Sequence, residues 1–79
     1  MNTDQSATVI RDAIRQAARE CGVKPSEAHV PDQQSKAGVT ARNLAMADAY
    51  RQGIDIDTLA TAFRRKENTI RGILRQTLA

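Results

Sequence analysis

Residues 54–75, IDIDTLATAFRRKENTIRGILR, constrain the fold of this chain more than any other stretch. Leu59 and Phe63 lie four residues apart, so they share one face of a helix. After a gap of six residues, a second apolar set repeats at the same helical spacing: Ile70, Ile73 and Leu74. So short a gap forces the two apolar faces to close on each other around a tight turn. The stretch therefore predicts a helix-turn-helix over residues 55–77.

The turn and the outward side of the second helix carry basic and polar side chains that suit phosphates and base edges. Residues 40–79 hold seven basic and four acidic residues, whereas residues 1–39 hold five of each. This excess indicates an anionic partner such as nucleic acid. The alternative is a solvated basic helix end, since Lys and Arg also suit the helix dipole at a C-terminus. The candidate DNA-binding residues of this region are Arg64, Arg65, Lys66, Asn68, Thr69, Arg71 and Arg75.

The length and residue pattern of the whole chain predict one small all-α domain. A chain of 79 residues forms a single core and leaves little room for a large catalytic cleft. The β-branched residues never alternate over a strand-length run, which argues against strands. We therefore expect a small bundle of three to four helices over residues 7–79, with the helix-turn-helix at its C-terminal end, after a disordered N-terminus of residues 1–6.

The first helix is expected to run from Ala7 to Cys21, where Gly22 ends it. Cys21 completes an apolar stripe and is expected in the core. On the opposite side, Arg11, Arg15 and Arg19 lie four residues apart and repel one another mildly. That row is either a solvated face or a secondary phosphate contact. The apolar stripe consists of Ile10, Ala13, Ile14, Ala17, Ala18 and Cys21.

Two segments separate this helix from the helix-turn-helix. In residues 23–38, Pro25 suits the first position of a single helical turn, and Lys36 is an isolated candidate phosphate contact. Thr40 is the expected N-cap of a second long helix over residues 41–52, ended by Gly53. Arg42 would then oppose the dipole in the first turn, a cost that a phosphate partner would offset. Asp48 interrupts the small apolar face of this helix, so it is either partly exposed or paired with a basic group.

Three residues of the helix-turn-helix have local roles that the sequence suggests. Asp55 can cap the first helix, with Ile54 packed on Leu59 as a hydrophobic staple. Arg64 stands where such turns typically have glycine, so either the turn is of another type or Arg64 adopts a less comfortable backbone conformation. Gly72 costs about 1 kcal/mol relative to alanine within a helix. It leaves space either for close approach to DNA or for packing.

The order of these elements resembles the C-terminal DNA-binding domain of the bacterial replication initiator DnaA, a helix-turn-helix fold related to the Trp repressor. CGVKPSE resembles the end of that family's opening helix and its short turn, TARNLAMADAYRQG its long second helix, and DIDTLATAFRRKENTI its helix-turn-helix and signature. The signature usually reads Gly-Gly, a basic residue, an acidic residue and His-Thr-Thr-Val. This chain has Arg64 and Arg65 at the glycines and Asn68 at the histidine.

The resemblance implies that Lys66, Asn68 and Thr69 lie where the family contacts base edges and phosphates. It also implies that Arg42 lies at a phosphate-contacting helix start, although the family's arginine-rich loop keeps only Lys36 and Arg42 here. It does not imply the family's sequence preference, because the residues that differ are those that would read it. No glycine-rich phosphate loop occurs in the sequence, so the family's ATPase activity is not expected.

The sequence thus predicts a bacterial or phage module that binds double-stranded DNA, specifically or semi-specifically, as a cytoplasmic, nucleoid-associated regulator of transcription or replication. A protein-interaction module that keeps the fold without binding DNA is the alternative, suggested by the alanine-rich face with Met46 and Tyr50. A homodimer or a larger protein partner could complete the binding surface, and the sequence leaves this open.

Other classes of function find little support in the residues. No nucleophile and base pair, carboxylate pair or metal cluster can be assembled, so we expect no enzyme, no cofactor and no metal. His29, the single histidine, has no second ligand at metal-binding spacing. The single cysteine excludes an internal disulfide, and the absence of a long apolar run argues against a membrane partner.

Overall fold

In a computed structural model that describes residues 3–32 and 34–79, the chain forms five helices and no strand. The predicted all-α class is confirmed, with one helix more than expected because the turn that begins at Pro25 is a separate short helix. None of the helices in the described ranges is long and apolar enough to cross a membrane. The helices are α1 (Thr3–Cys21), α2 (Pro25–His29), α3 (Lys36–Arg51), α4 (Ile56–Phe63) and α5 (Glu67–Thr77).

The N-terminal helix begins earlier than its sequence pattern suggests. Thr3 is already helical, so the expectation of disorder is wrong for residues 3–6, and Met1 and Asn2 lie outside the described residues. The apolar stripe of α1 is buried as predicted from Ile10 to Ala18, and Cys21 packs half-buried against the core. Gly22 follows with a φ of 69°, the left-handed conformation expected of a helix terminator.

The long central helix also begins earlier than predicted. Ser35, not Thr40, is its N-cap, because the Ser35 hydroxyl oxygen accepts a 3.1 Å hydrogen bond from the amide of Gly38. Arg42 therefore lies in the second turn of α3, and the prediction that it opposes the dipole at a helix start is wrong. Lys36 takes that place in the first turn.

Gly38 permits the early start of α3 because the helix passes very close to α2 at this point. A β-carbon on Gly38 would lie 2.9 Å from the Ser35 hydroxyl oxygen and 3.0 Å from the carbonyl oxygen of Glu27. Real β-carbons do not approach other atoms so closely, so only glycine fits without displacing the cap or the backbone of α2.

The core is built around α3, which packs against all four other helices. Its alanines let α1 approach closely, because small side chains bring helix axes together. The same packing buries Met46 completely, so the alanine-rich face forms the core and is not a free surface for a partner, as the alternative hypothesis supposed. Larger side chains from the C-terminal half fill the remaining space: Ile54, Leu59, Phe63, Ile70 and Leu74.

Two glycine substitutions test this account of the packing. Gly38→Ala should lower the free energy of unfolding by about 1 kcal/mol or more, because the crowding outweighs the higher helix propensity of alanine. Gly72→Ala is the matched control, since nothing lies within 4 Å of its added β-carbon. It should raise stability by about 0.5–1 kcal/mol. Urea denaturation followed by circular dichroism measures both, and a Gly38→Ala variant as stable as the wild type would contradict the close approach.

Candidate nucleic-acid interface

The predicted helix-turn-helix begins with a well-formed cap. The Asp55 carboxylate accepts a 2.8 Å hydrogen bond from the amide of Thr58, and this bonding keeps the pKa of the carboxyl below its usual value. Ile54 and Leu59 are both buried, as a hydrophobic staple requires. α4 then ends at Phe63, the residue that the sequence indicated.

The turn between α4 and α5 has the geometry that usually contains glycine. The amide of Arg65 donates a 3.0 Å hydrogen bond to the carbonyl oxygen of Ala60, and the amide of Arg64 donates a 3.4 Å hydrogen bond to the carbonyl oxygen of Thr61. These two bonds together form a Schellman motif. Arg64 adopts φ 56° and ψ 46°, so of the two alternatives left open by the sequence the strained backbone is correct. A left-handed conformation costs a residue with a β-carbon roughly 1–2 kcal/mol.

The second helix of the motif buries its apolar side and exposes its polar side. Ile70 and Leu74 are buried against the core, and Ile73 is partly buried. Lys66 is the N-cap residue, but its side chain makes no capping hydrogen bond, so the ammonium group remains in solvent. The exposed residues on or next to this helix include six of the predicted site: Arg64, Lys66, Asn68, Thr69, Arg71 and Arg75.

Two of these exposed side chains, Asn68 and Arg71, form local contacts on α5 together with Glu67. Arg71 donates a 3.3 Å hydrogen bond to the side-chain oxygen of Asn68 and lies 3.9 Å from a carboxylate oxygen of Glu67. An exposed ion pair of this kind contributes at most about 1 kcal/mol. Both Asn68 and Arg71 can therefore exchange these contacts for a ligand at little cost.

Arg42 and Arg65 form the least expected feature of the region. Arg42 is only 8% exposed as a whole residue, and two of its guanidinium nitrogens donate to the side-chain oxygen of Asn43 at 3.1 and 3.2 Å. Burial lowers the pKa of Arg42, and the neighbouring positive charge of Arg65 lowers it further. No carboxylate of the described residues pairs with either guanidinium.

The structure brings most of the predicted site residues together, with one exception. Arg65 lies near enough to Arg42 for its positive charge to lower the pKa of Arg42, and it comes two residues before the exposed start of α5. Lys36 stands apart: it is exposed at the start of α3, about 9 Å along that helix from Arg42 at 1.5 Å per residue. Its side chain forms no ion pair within the described ranges.

Two residues with positioning roles were not assigned by sequence reasoning. Asn43 orients the Arg42 guanidinium, and only its position next to a candidate cation could have signalled this. Nε2 of His29 lies 2.6 Å from the carbonyl oxygen of Ala62, and the ring meets Phe63 edge-on with centroids 5.9 Å apart. His29 therefore fastens α2 to the end of α4. Within the described residues no group of His, Cys, Asp and Glu could hold a metal ion.

Two further open points of the sequence are settled by local geometry. Asp48 is partly exposed and accepts a 3.2 Å hydrogen bond from the side chain of Gln52, so it meets no basic partner among the described residues. Gly72 has no neighbour within 4 Å of an added β-carbon, so packing clearance does not explain it. Gly72 is exposed, and its close approach to DNA stays a prediction.

Compared with known proteins, the chain matches no protein-family model, no curated protein and no solved structure.

Replacing Arg64 tests the strain in the turn. Arg64→Gly should raise the free energy of unfolding by about 0.5–1 kcal/mol, because glycine adopts the left-handed conformation freely while also gaining entropy in the unfolded chain. Thermal unfolding measures this. Arg65→Gly is the matched control: Arg64 is the only non-glycine residue with positive φ among the described residues, so the control should lower stability. Equal effects of the two changes would contradict the strain.

Proposed function

We propose that this chain binds double-stranded DNA with α5 in the major groove, specifically or semi-specifically, as a regulator of transcription or replication. The major groove admits an α-helix whose outward side chains reach base edges. α5 meets this requirement, because its apolar side is buried in the core and its polar side faces solvent. A cytoplasmic, nucleoid-associated location follows from this proposal.

The observation that carries the proposal is the pair of cations Arg42 and Arg65. A guanidinium that is partly removed from water is less stable unless an anion compensates it, and a second positive charge near it raises that cost. Asn43 supplies only a neutral acceptor. A DNA phosphate between the two arginines would contribute one negative charge and offset their repulsion, and guanidinium groups bind phosphate with strong, directional hydrogen bonds.

The remaining residues divide into two roles under this proposal. Asn68, Thr69 and Arg71 lie on the first turns of α5, from which side chains reach base edges; Asn pairs well with adenine and Arg with guanine. The cations around them would contact phosphates, which fix orientation but carry no direct sequence information. The proposed phosphate contacts are Lys36, Arg42, Arg64, Arg65, Lys66 and Arg75.

The strained turn and the uncapped helix start support the same role. Arg64 occupies a left-handed position that glycine would fill at lower cost, and Lys66 occupies an N-cap position where Ser, Thr, Asp or Asn would stabilise the helix. Both residues add positive charge to the turn at the expense of stability. Residues that break local folding rules in this way concentrate at functional sites.

The resemblance to the DnaA DNA-binding domain agrees with this orientation of the helix-turn-helix, but we do not extend it to the family's target sequence. Arg64, Arg65 and Asn68 differ from that family's signature.

A protein-interaction role is the second candidate, and one surface favours it. Tyr50 and Leu78 are 42% and 37% exposed and border a shallow apolar groove with Ile56. The same groove is flanked by Arg71 and Arg75, so a homodimer or another protein bound there would share residues with the proposed DNA surface. A complex that persists in excess DNA and survives charge reversal at Arg65 and Lys66 would favour this role.

Salt-dependent binding tests the main proposal. With about four to six phosphate contacts, the logarithm of affinity should fall with the logarithm of salt concentration at a slope of roughly −4 to −5.

Arg65→Glu/Lys66→Glu should abolish binding to a fluorescent duplex in anisotropy titrations. Arg19→Glu/Arg51→Glu is the matched control, since it makes the same change of net charge at exposed sites on α1 and α3. No binding by the wild type at low salt, or equal loss in both variants, would end the proposal.

Base discrimination is tested separately by in vitro selection from random duplexes. Asn68→Ala should relax the preference at one position by about 1–3 kcal/mol while leaving most non-specific affinity intact. Gln76→Ala, an exposed amide on the same helix, is the control and should return the wild-type motif. If Asn68→Ala also returns that motif unchanged, Asn68 does not read a base.

A further inference from the structure

A second groove lies on another part of the molecule, between α1, α2 and α4. It has a volume of about 500 Å³ and a mostly apolar lining. Ile10 and Ile14 form its buried floor, and Pro25 and Ala62 contribute from α2 and α4. The groove shares no residue with the proposed DNA surface, so the failure of DNA binding would leave this inference standing.

The relative position of the groove walls is fixed by His29, which lines the groove. Its bond to the carbonyl of Ala62 and its edge contact with Phe63 hold α2 against the end of α4. The groove is therefore a formed feature of the fold, with its apolar floor accessible between helices that are already held together.

Arg11 and Arg15 line the same groove, one helical turn apart and both exposed. Like charges at this spacing repel mildly, and neither side chain has an ion pair among the described residues. None of the described residues that line the groove is acidic. The structure thus combines an apolar floor with a positive edge about 6 Å long whose two arginines form no ion pair with the described residues.

We propose that this groove docks an acidic amphipathic helix of another protein. Apolar side chains on one face of that helix would lie over Ile10 and Ile14. Carboxylates one turn apart along its flank would pair with Arg11 and Arg15. The repeat along both helices is the same, so two such ion pairs form in register.

The physical properties of the groove disfavour other occupants. A small-molecule site buries most of its ligand, whereas this groove is open to solvent. An extended peptide needs a sheet edge, and the described residues form no strand. A proline-rich peptide needs aromatic walls, and the lining contains no Phe, Tyr or Trp. A lipid surface needs projecting apolar side chains, whereas the apolar lining here forms a recess between α1, α2 and α4.

Selection from a displayed library of amphipathic helices tests the proposal. Each helix has roughly 16 residues, long enough to be helical, with a fixed leucine stripe and flanking positions free to be Glu, Lys, Gln or Ser. Selection on the wild-type chain should enrich Glu on one flank. Arg11→Glu/Arg15→Glu should weaken the selected peptide by about tenfold or more, and the neutral pair Arg11→Gln/Arg15→Gln by less. Peptides in which lysine replaces the selected glutamates should bind the Arg11→Glu/Arg15→Glu variant better than they bind the wild type.

Arg19→Glu is the control, because Arg19 belongs to the same row but does not line the groove; it should change peptide affinity little. Enrichment of uncharged or basic flanks, no enrichment, or unchanged binding by the reversed variant would overturn the proposal. Two other results would also overturn it. One is that Arg11→Glu/Arg15→Glu loses more DNA affinity than Arg19→Glu/Arg51→Glu does. The arginines of α1 would then be phosphate contacts. The other is a wild-type dimer that the reversal dissociates in sedimentation experiments, which would make the occupant a second copy.

Discussion

The structure depends on the burial of the apolar sides of α4 and α5 against each other and against the rest of the core. Leu59, Phe63 and Ile70 are completely buried, and their burial is worth several kcal/mol in a domain of this size. Because the side chains of α5 repeat at the helical period, burying Ile70 and Leu74 also fixes which residues face solvent. The polar surface is thus determined by packing beneath it, and no separate contact is needed to present Asn68 or Arg71.

Sequence reasoning succeeded where local chemistry and periodicity agreed. The boundaries of α4 and α5 were predicted almost to the residue, because capping and helical spacing point to the same boundaries. The signals were the cap Asp55, the spacing from Leu59 to Phe63 and the apolar set Ile70, Ile73 and Leu74. Pro25 likewise marked the start of α2. These features depend on residues close in sequence, so they could be read without knowing the tertiary structure.

Sequence reasoning failed where the structure depends on contacts between segments that are distant in sequence. Thr40 and Ser35 are both good caps, and Ser35 is selected because Gly38 lets α3 pass close to Glu27 on α2. Met46 could have belonged to a free face until the packing of α3 on all its neighbours placed it in the core. The approach of Arg42 to Arg65 spans two elements and has no local signature.

His29 connects the groove between α1, α2 and α4 with the end of α4. Its ring lines the groove of α1 and α2, holds the carbonyl of Ala62 and abuts Phe63, the last residue before the left-handed turn. A ligand in the groove that shifted this ring would alter the support of the turn that carries Arg64 and Arg65. Linkage is reciprocal, so occupancy of the turn would change affinity at the groove by the same factor. One imidazole would then couple two binding equilibria without any helix changing its length.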